Sequence, residues 1–378
     1  MSVAWTTSRA LYQKRHYVST ILGMPVKLVT RWSHPCPDDK VIGWGLKPSA
    51  VRAKQWADNH ALPLIRIEDG FLGYLGHPAD KGIPLSLTID DSGIYYSAQS
   101  QSQLTRWLSD DSWFDRHERL RAVRLLRRIR QSAATKYNRY PIKTLPPYLQ
   151  HQLTGTRHRV LLIDQIAGDL AITGALATEE HFLAMLEAAK ADYPDSDILI
   201  RSHPDTQLKG RRSILGHAKA EGVTIISDEC HPHALLNAVD VVYTVSSLLG
   251  FEALLLGKPV VCFGASFYAG WGLTDDRITI PHRPAKSVSL LQLVSAALIK
   301  YCRYQDPRTS TPCEPEVIID LIEAQYSPLP PVTKLYASGF SLWKQSFIRR
   351  FCRSLTQEIR FCKRPPGKIA EHEQHLLW

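Results

Sequence analysis

VVYTVSSLLGFEALLLGKPVVCFG, residues 241–264, reads as a strand, a helix and a strand in succession. Residues 241–245 are a short apolar, β-branched run. Ser246 and Ser247 are hydroxyl residues of the kind that open helices. Residues 248–256 have helical composition and stop at Gly257, and Pro259 begins a second apolar run that reaches Phe263. A unit of this kind, with strands apolar throughout, belongs in a parallel sheet covered by helices on both faces. The alternation extends upstream. Residues 159–164, 197–202 and 223–226 read as strands, 179–192 and 212–221 as helices, and 232–237 as a short helix. The spacing predicts an α/β fold with a doubly wound parallel sheet.

The first half of the chain carries a second set of short strands, at 25–30, 41–45, 64–67, 86–89 and 94–96. Helical composition covers 50–60, 103–108 and 113–135, whereas the first eighteen residues are polar and irregular. Between the halves, residues 140–156 contain Pro141, Pro146, Pro147 and Gly155, a turn-rich linker. The expected organisation is therefore a Rossmann-like lobe at 1–150, a second at 151–310 with a cleft between them, and a helical segment at 311–378.

The 378 residues suit two to three domains. With 44% apolar and 22% charged residues the composition is globular, which excludes global disorder. The most apolar region is cut by Asp240, Glu252 and Lys258, so no membrane-spanning run is expected. The seven cysteines form no CxxC pair and no apolar signal sequence follows Arg9, Lys14 and Arg15; a reducing, cytoplasmic setting is expected. The net charge of +10 favours anionic partners. Residues 339–378 carry half of that excess, and Trp343, Phe347, Phe351, Leu355 and Ile359 recur there every fourth position, predicting one basic amphipathic helix, either packed back on its own domain with the basic face solvated or docked on an anionic membrane surface or a partner. A second basic cluster, Arg119, Arg121, Arg124, Arg127, Arg128 and Arg130, predicts a helix with a cationic face, placed near an anionic substrate or solvated.

Ligands of open α/β sheets bind beyond the carboxyl ends of the strands. Polar residues stand at those places: Glu68 and Asp69 after 64–67, Asp90 and Asp91 after 86–89, Asp164 and Asp169 around the end of 159–164, and Ser202, His203 and Pro204 after 197–201. Ser246 and Ser247 at a helix start offer an anion site through free backbone N–H groups, or serve only as caps. With His203 and Glu252 they read as a nucleotide-phosphate pocket, Glu252 reaching a ribose hydroxyl. Paired carboxylates are the tools of glycosyl transfer, and Asp164 and Asp169 would face Glu68 and Asp69 from opposite lobes. P-loop, GxGxxG, HExxH and GxSxG patterns are absent.

The stretches WGLKPSA (44–50), RIEDGFLG (66–73), PLSLTIDDSGIYY (84–96), KYN (136–138), DQIAGD (164–169), SHPD (202–205), the 245–264 segment and FYAGWGLTDDR (267–277) resemble capsular polysaccharide biosynthesis proteins of the KpsC type. The resemblance implies a retaining β-Kdo transferase of GT-B-like build. It would move Kdo, an eight-carbon sugar acid, from CMP-β-Kdo to a lipid-linked Kdo acceptor. Carried over motif by motif, it implies His203, Pro204, Ser246 and Ser247 on the CMP phosphate, with Glu252 on the ribose. Asp169 is then the nucleophile, and Glu68 or Asp69 the acid/base. It implies no metal and no cofactor beyond the donor. The setting implied is the cytoplasmic side of the inner membrane of a Gram-negative bacterium, with the lipid-linked acceptor, other capsule assembly proteins and no nucleic acid as partners. Members often carry two such modules; the ending His375–Trp378 resembles the strand leading into Trp44-Gly45, so a first module running into the start of a second, or a split relative, is expected. The alternatives are another CMP-sugar transferase, such as a sialyltransferase, and a non-catalytic module binding lipid or partner enzymes.

Overall fold

In a computed structural model of the chain, all residues are described except 1, 141–143, 203–205, 207–209, 217–221, 228–229, 282, 327–331, 353–355, 365–366 and 371. The molecule is mixed α/β and divides into two units, Met1–Ile322 and Glu323–Trp378.

The larger unit begins with β1 (Ala4–Thr6), β2 (Val26–Leu28), β3 (Lys40–Trp44), β4 (Leu64–Asp69) and β5 (Ser86–Asp90). α1 (Pro48–Asn59) crosses from β3 to β4, and α2 (Arg116–Ser132) closes this region. A second sheet follows, built of β6 (Arg159–Ile163), β7 (Asp197–Arg201), β8 (Val223–Ile226), β9 (Val241–Thr244), β10 (Val260–Cys262) and β11 (Asp275–Asp276). Its helices include α3 (Leu170–Gly174), α4 (Glu179–Asp192) and α5 (Leu248–Leu255). The chain then returns to the first sheet with β12 (Cys302–Asp306) and β13 (Thr311–Cys313) before α6 (Pro315–Tyr326).

The second sheet is parallel throughout, in the order β8-β7-β6-β9-β10-β11. The chain thus winds outward from β6 in both directions, and the order reverses between β6 and β9. Val160, Leu162, Val241 and Tyr243 of these central strands are buried with Phe182 and Met185 of α4 in one core cluster. The first sheet runs β13-β12-β5-β4-β3-β1-β2, parallel from β4 to β2 and antiparallel across β5, β12 and β13.

Several sequence expectations change here. The irregular N-terminus does supply a strand, because Asp39 accepts from the Val3 amide at 2.7 Å and from Trp5 Nε1 at 2.8 Å, pinning three residues whose own composition is uninformative. Residues 94–96 form no strand. The Asp90 carboxylate accepts from the amides of Ser92, Gly93 and Gln103 and from the Tyr301 hydroxyl, so the chain turns away from the sheet. Residues 211–216 are not helical, and most of the remainder of that expected helix lies outside the described residues. The basic face of α2 is partly consumed internally. Arg121 pairs with Glu316 at 2.9 Å, Arg128 pairs with Asp320 at 2.6 Å, and Arg130 donates to the Leu255 carbonyl at the end of α5, where a cation offsets the helix dipole.

The smaller unit is not one helix. It holds β14 (Val332–Ser338), α7 (Leu342–Phe351), β15 (Thr356–Cys362) and β16 (Glu373–Leu377), all parallel in the order β15-β14-β16. This repeats the arrangement of β2-β1-β3. The four-residue stripe holds only through Trp343, Phe347 and Phe351. Leu355 lies outside the described residues, and Ile359 joins β15, where it and Phe361 pack at strand spacing against Val332, Leu335 and Ile348. Trp343, Phe347 and Phe351 are exposed on α7. Among the described residues no helix is long and apolar enough to cross a membrane.

Candidate active site

The reversal of strand order between β6 and β9 makes a crevice at their carboxyl ends. Gln165, just past β6, closes it from one side: its Oε1 accepts from the Ser246 amide at 3.0 Å and its Nε2 lies 2.9 Å from Ser246 Oγ. Ser247 is the N-cap of α5, its Oγ accepting from the Leu249 amide at 3.2 Å. Both serines therefore stand at the mouth of the crevice, one tied to Gln165 and one shaping the helix start. His203 and Pro204 lie outside the described residues; Ser202 before them bonds through its amide to the Ile226 carbonyl at 3.0 Å.

The two aspartates of DQIAGD separate in role. Asp164 is buried, and both its oxygens are taken: Oδ1 by the amides of Gln165 (2.8 Å) and Leu215 (3.0 Å), Oδ2 by Ser213 Oγ. Burial raises its pKa. Asp164 tethers the 213–215 segment, and the expectation of a reactive carboxylate there is corrected on that ground. Asp169 is exposed and caps the single turn of α3, its Oδ1 accepting from the Ala171 amide at 3.0 Å. The other end of that turn touches the first lobe. The Gly174 carbonyl accepts from the Ala98 amide at 2.7 Å, and a Cβ on Gly174 would lie 2.3 Å from the Tyr96 carbonyl oxygen, so only glycine fits there.

Tyr96 stands at this contact between the residues that follow the first sheet and α3 of the second. Burial, then the charges of Glu68 and Asp169, push its phenol above the usual value, so both carboxylates act on one hydroxyl. That hydroxyl accepts from the Leu46 amide at 2.8 Å. Glu68 lies in the last two residues of β4, not beyond it. Trp44 Nε1 donates to its Oε1 at 2.5 Å, and the Asp69 amide donates to the same atom at 3.2 Å. Its Oε2 turns toward Gly45, which has φ of +49°; a Cβ there would meet Glu68 Oε2 at 2.6 Å and Tyr96 Oη at 2.2 Å. Burial, and after it the Asp69 charge, raise the Glu68 pKa above the ordinary glutamate value. Asp69 Oδ1 accepts from the Tyr74 hydroxyl at 2.7 Å.

Lys136 is the functional residue to which sequence reasoning assigned no role. Burial alone would favour its neutral form, but Tyr137, Tyr95, Asp69 and Glu68 outweigh it and hold the ammonium charged, with its pKa well above the usual value. A small sheet of Tyr74–Leu75, Ile83–Pro84 and Tyr137–Asn138 fixes its backbone. The signal was present: Lys136, Trp44, Gly45, Tyr96 and Gln165 all lie inside the motifs that carried the resemblance.

Glu252 is buried on α5, and its Oε1 accepts from Thr135 Oγ1 at 2.6 Å and from the Lys136 amide at 3.1 Å. His233 Nε2 lies 3.9 Å from its Oε2. In the structure Oε1 of this carboxylate, expected from the sequence to reach a ribose, holds Thr135 and Lys136 against α5. Burial pushes its pKa up to about 7 from the usual 4.5. Between those values the native state holds the proton and the unfolded chain releases it. The contribution of Glu252 to stability therefore falls as pH rises through that window, by about 3 kcal/mol in full. Glu252→Gln keeps the acceptor oxygen and removes the charge. Its thermal midpoint is expected above that of the wild type at pH 8, with the gap closing toward pH 5; a gap independent of pH would contradict this.

Comparison with known proteins follows the same lines. A family model described as capsule polysaccharide biosynthesis protein matches residues 39–159 and 114–304. "Capsule polysaccharide modification protein LipA" of Neisseria meningitidis serogroup B is 33% identical over 360 residues, 91% of this chain and 51% of that protein. "Lipopolysaccharide-processing protein LpsZ" of Rhizobium meliloti is 38% identical over 270 residues, 70% of this chain and 59% of that protein. The chain thus spans about half the length of the curated relatives it matches. Among solved structures, Thermosulfurimonas dismutans KpsC, beta Kdo 2,4 transferase, superposes with a TM-score of 0.79 at 36% identity, covering 85% of this chain and 98% of that one. The beta Kdo 2,7 transferase of the same KpsC shares the fold, with a TM-score of 0.62 at 24% identity over 85% and 98% of the two chains.

Proposed function

The chain belongs to the capsule polysaccharide biosynthesis family, and from that premise we propose that it is a GT-B-like retaining glycosyltransferase that moves Kdo from CMP-β-Kdo to a lipid-linked Kdo acceptor. The observation that carries the reading is the approach at Tyr96, where Glu68 Oε2 lies beside its hydroxyl and Gly174, at the end of the turn capped by Asp169, packs on its carbonyl. In the first step the Asp169 carboxylate attacks the anomeric carbon and CMP leaves with the bonding pair. That carbon bears no hydrogen and readily takes oxocarbenium character, which a carboxylate on the opposite face stabilises. Ser246, Ser247, the start of α5 and, from outside the described residues, His203 with Pro204 meet the departing phosphate. In the second step Glu68 takes the proton of the acceptor hydroxyl as that oxygen displaces Asp169. Glu68 is preferred to Asp69 because its Oε2 lies beside the Tyr96 hydroxyl at Gly45, whereas the Asp69 carboxylate is in contact with Tyr74. Lys136 offsets the negative charge gathered by the two carboxylates. The exposed aromatic residues of α7, with Lys344 and Arg349 on the same helix, are assigned to the anionic inner-membrane surface that presents the acceptor, on its cytoplasmic side.

One assay tests the whole reading. Anionic vesicles bearing a lipid-linked Kdo acceptor are mixed with the protein and either CMP-Kdo or CMP-sialic acid. One Kdo is expected to be added and no sialic acid, and the protein is expected to float with these vesicles but not with zwitterionic ones. Sialic acid transfer would replace the donor assignment. CMP binding without turnover would favour the non-catalytic module. Flotation indifferent to lipid charge would end the membrane assignment.

A further inference from the structure

The first sheet has a reversal of strand order of its own, between β1 and β3, and the step just described does not use it. Trp44 ends β3 there and is almost fully buried. Its indole edge holds Glu68 Oε1. Its ring carries two ammonium groups: Lys14 Nζ lies 4.9 Å and Lys47 Nζ 5.5 Å from the ring centroid. They arrive from different places. Lys14 ends the helix Arg9–Gln13 that follows β1, and Lys47 precedes α1 as its N-cap without a side-chain capping bond. Both side chains are exposed, and neither has a hydrogen bond or an ion pair within 4 Å among the described residues.

Two like charges on one ring repel each other. The Lys47 charge lowers the pKa of Glu68, but Glu68 Oε1 is already shared by Trp44 Nε1 and the Asp69 amide. The pair therefore leaves positive charge uncompensated beside the group that activates the acceptor hydroxyl. An indole face holds an ammonium by its quadrupole while leaving the N–H donors of that ammonium for another ligand.

We propose that Lys14 and Lys47, seated on Trp44, form a carboxylate-binding subsite for the acceptor. The terminal sugar acid places its carboxylate at the ring edge within reach of the two ammoniums and so turns its hydroxyl toward Glu68 Oε2. The subsite rests on the transferase reading above and adds its acceptor side: an acidic sugar is selected over a neutral one by charge.

The test uses the full chain and two soluble acceptors, a Kdo glycoside and the same glycoside with its carboxylate esterified. Lys14→Gln, Lys47→Gln and the double variant are each measured with both. The KM for the acidic acceptor is expected to rise about tenfold per lysine while the KM for the donor stays. The wild type is expected to use the ester as poorly as the double variant uses the acid, the substitutions are expected to add nothing on the ester, and Lys47→Arg is expected to recover most of the loss. Unchanged KM for the acid, or equal losses on acid and ester, would overturn the subsite. Equilibrium binding of the same two glycosides reads the lysines without turnover. An inactive protein that still binds the acid through Lys14 and Lys47 would sink the transferase reading alone. An active protein with indifferent lysines would sink the subsite alone.

Discussion

Asp169→Asn is expected to abolish transfer, by at least about 10⁴-fold in kcat, and to leave no sugar on the protein. The wild type mixed with CMP-Kdo and no acceptor is expected to gain the mass of one Kdo, located to the peptide containing Asp169. The substitution suits the site because Asp169 has two tasks. It caps the turn of α3 through Oδ1, and asparagine caps as well as aspartate does. The docking of Gly174 against Ala98 and Tyr96 is therefore retained, and loss of activity reports the lost nucleophile, not a loosened lobe contact. A variant with wild-type transfer, or a Kdo adduct mapped to another residue, would remove Asp169 from the mechanism. An adduct on Asp164 would be the most damaging result, since both oxygens of that carboxylate are already bonded.

Glu68→Gln is expected to lower kcat by about 10²- to 10⁴-fold, in the range for loss of a positioned acid/base. It differs from Asp169→Asn in what accumulates. The first step does not need the base, so the Kdo adduct forms and persists even with acceptor present. Glutamine still accepts from Trp44 Nε1, which preserves the local geometry. The pH profile supplies a second readout. A base must be ionised, so activity falls as pH drops through its pKa; burial and Asp69 raise that pKa, so the acid limb of the wild type is expected above the ordinary glutamate range and is expected to vanish in Glu68→Gln. Asp69→Asn with the larger loss and the adduct trapped would exchange the two roles.

Much of the second sheet was legible from residues 241–264 outward, since a strand, a capped helix and a strand are local patterns set by side-chain periodicity and turn chemistry. The positions at strand ends were legible for the same reason: Asp169, Ser246 and Ser247 stand beyond their strands, and Glu68 and Asp69 are the last two residues of β4. Local pattern failed where partners are distant. β1 is a strand because of Asp39, thirty-odd positions away. The arginines of α2 look like a ligand surface until α6, nearly two hundred positions on, supplies their carboxylates. The stripe ending at Ile359 mimics a helix because Ile359 continues the spacing by coincidence, while the core of the smaller unit takes Ile359 and Phe361 at strand period.

By itself the sequence determined the α/β class, the family and a short set of polar residues at strand ends, because these follow from neighbours along the chain and from motifs. Only the tertiary structure decided what each polar group is free to do. Asp164 and Glu252 have the right residue type at plausible places, yet the fold consumes the first on Ser213 and Leu215 and the second on Thr135, 117 positions away. A buried carboxylate must be paired or protonated, and pairing is settled by whatever the fold brings within about 3 Å, not by the residue's own position in the chain.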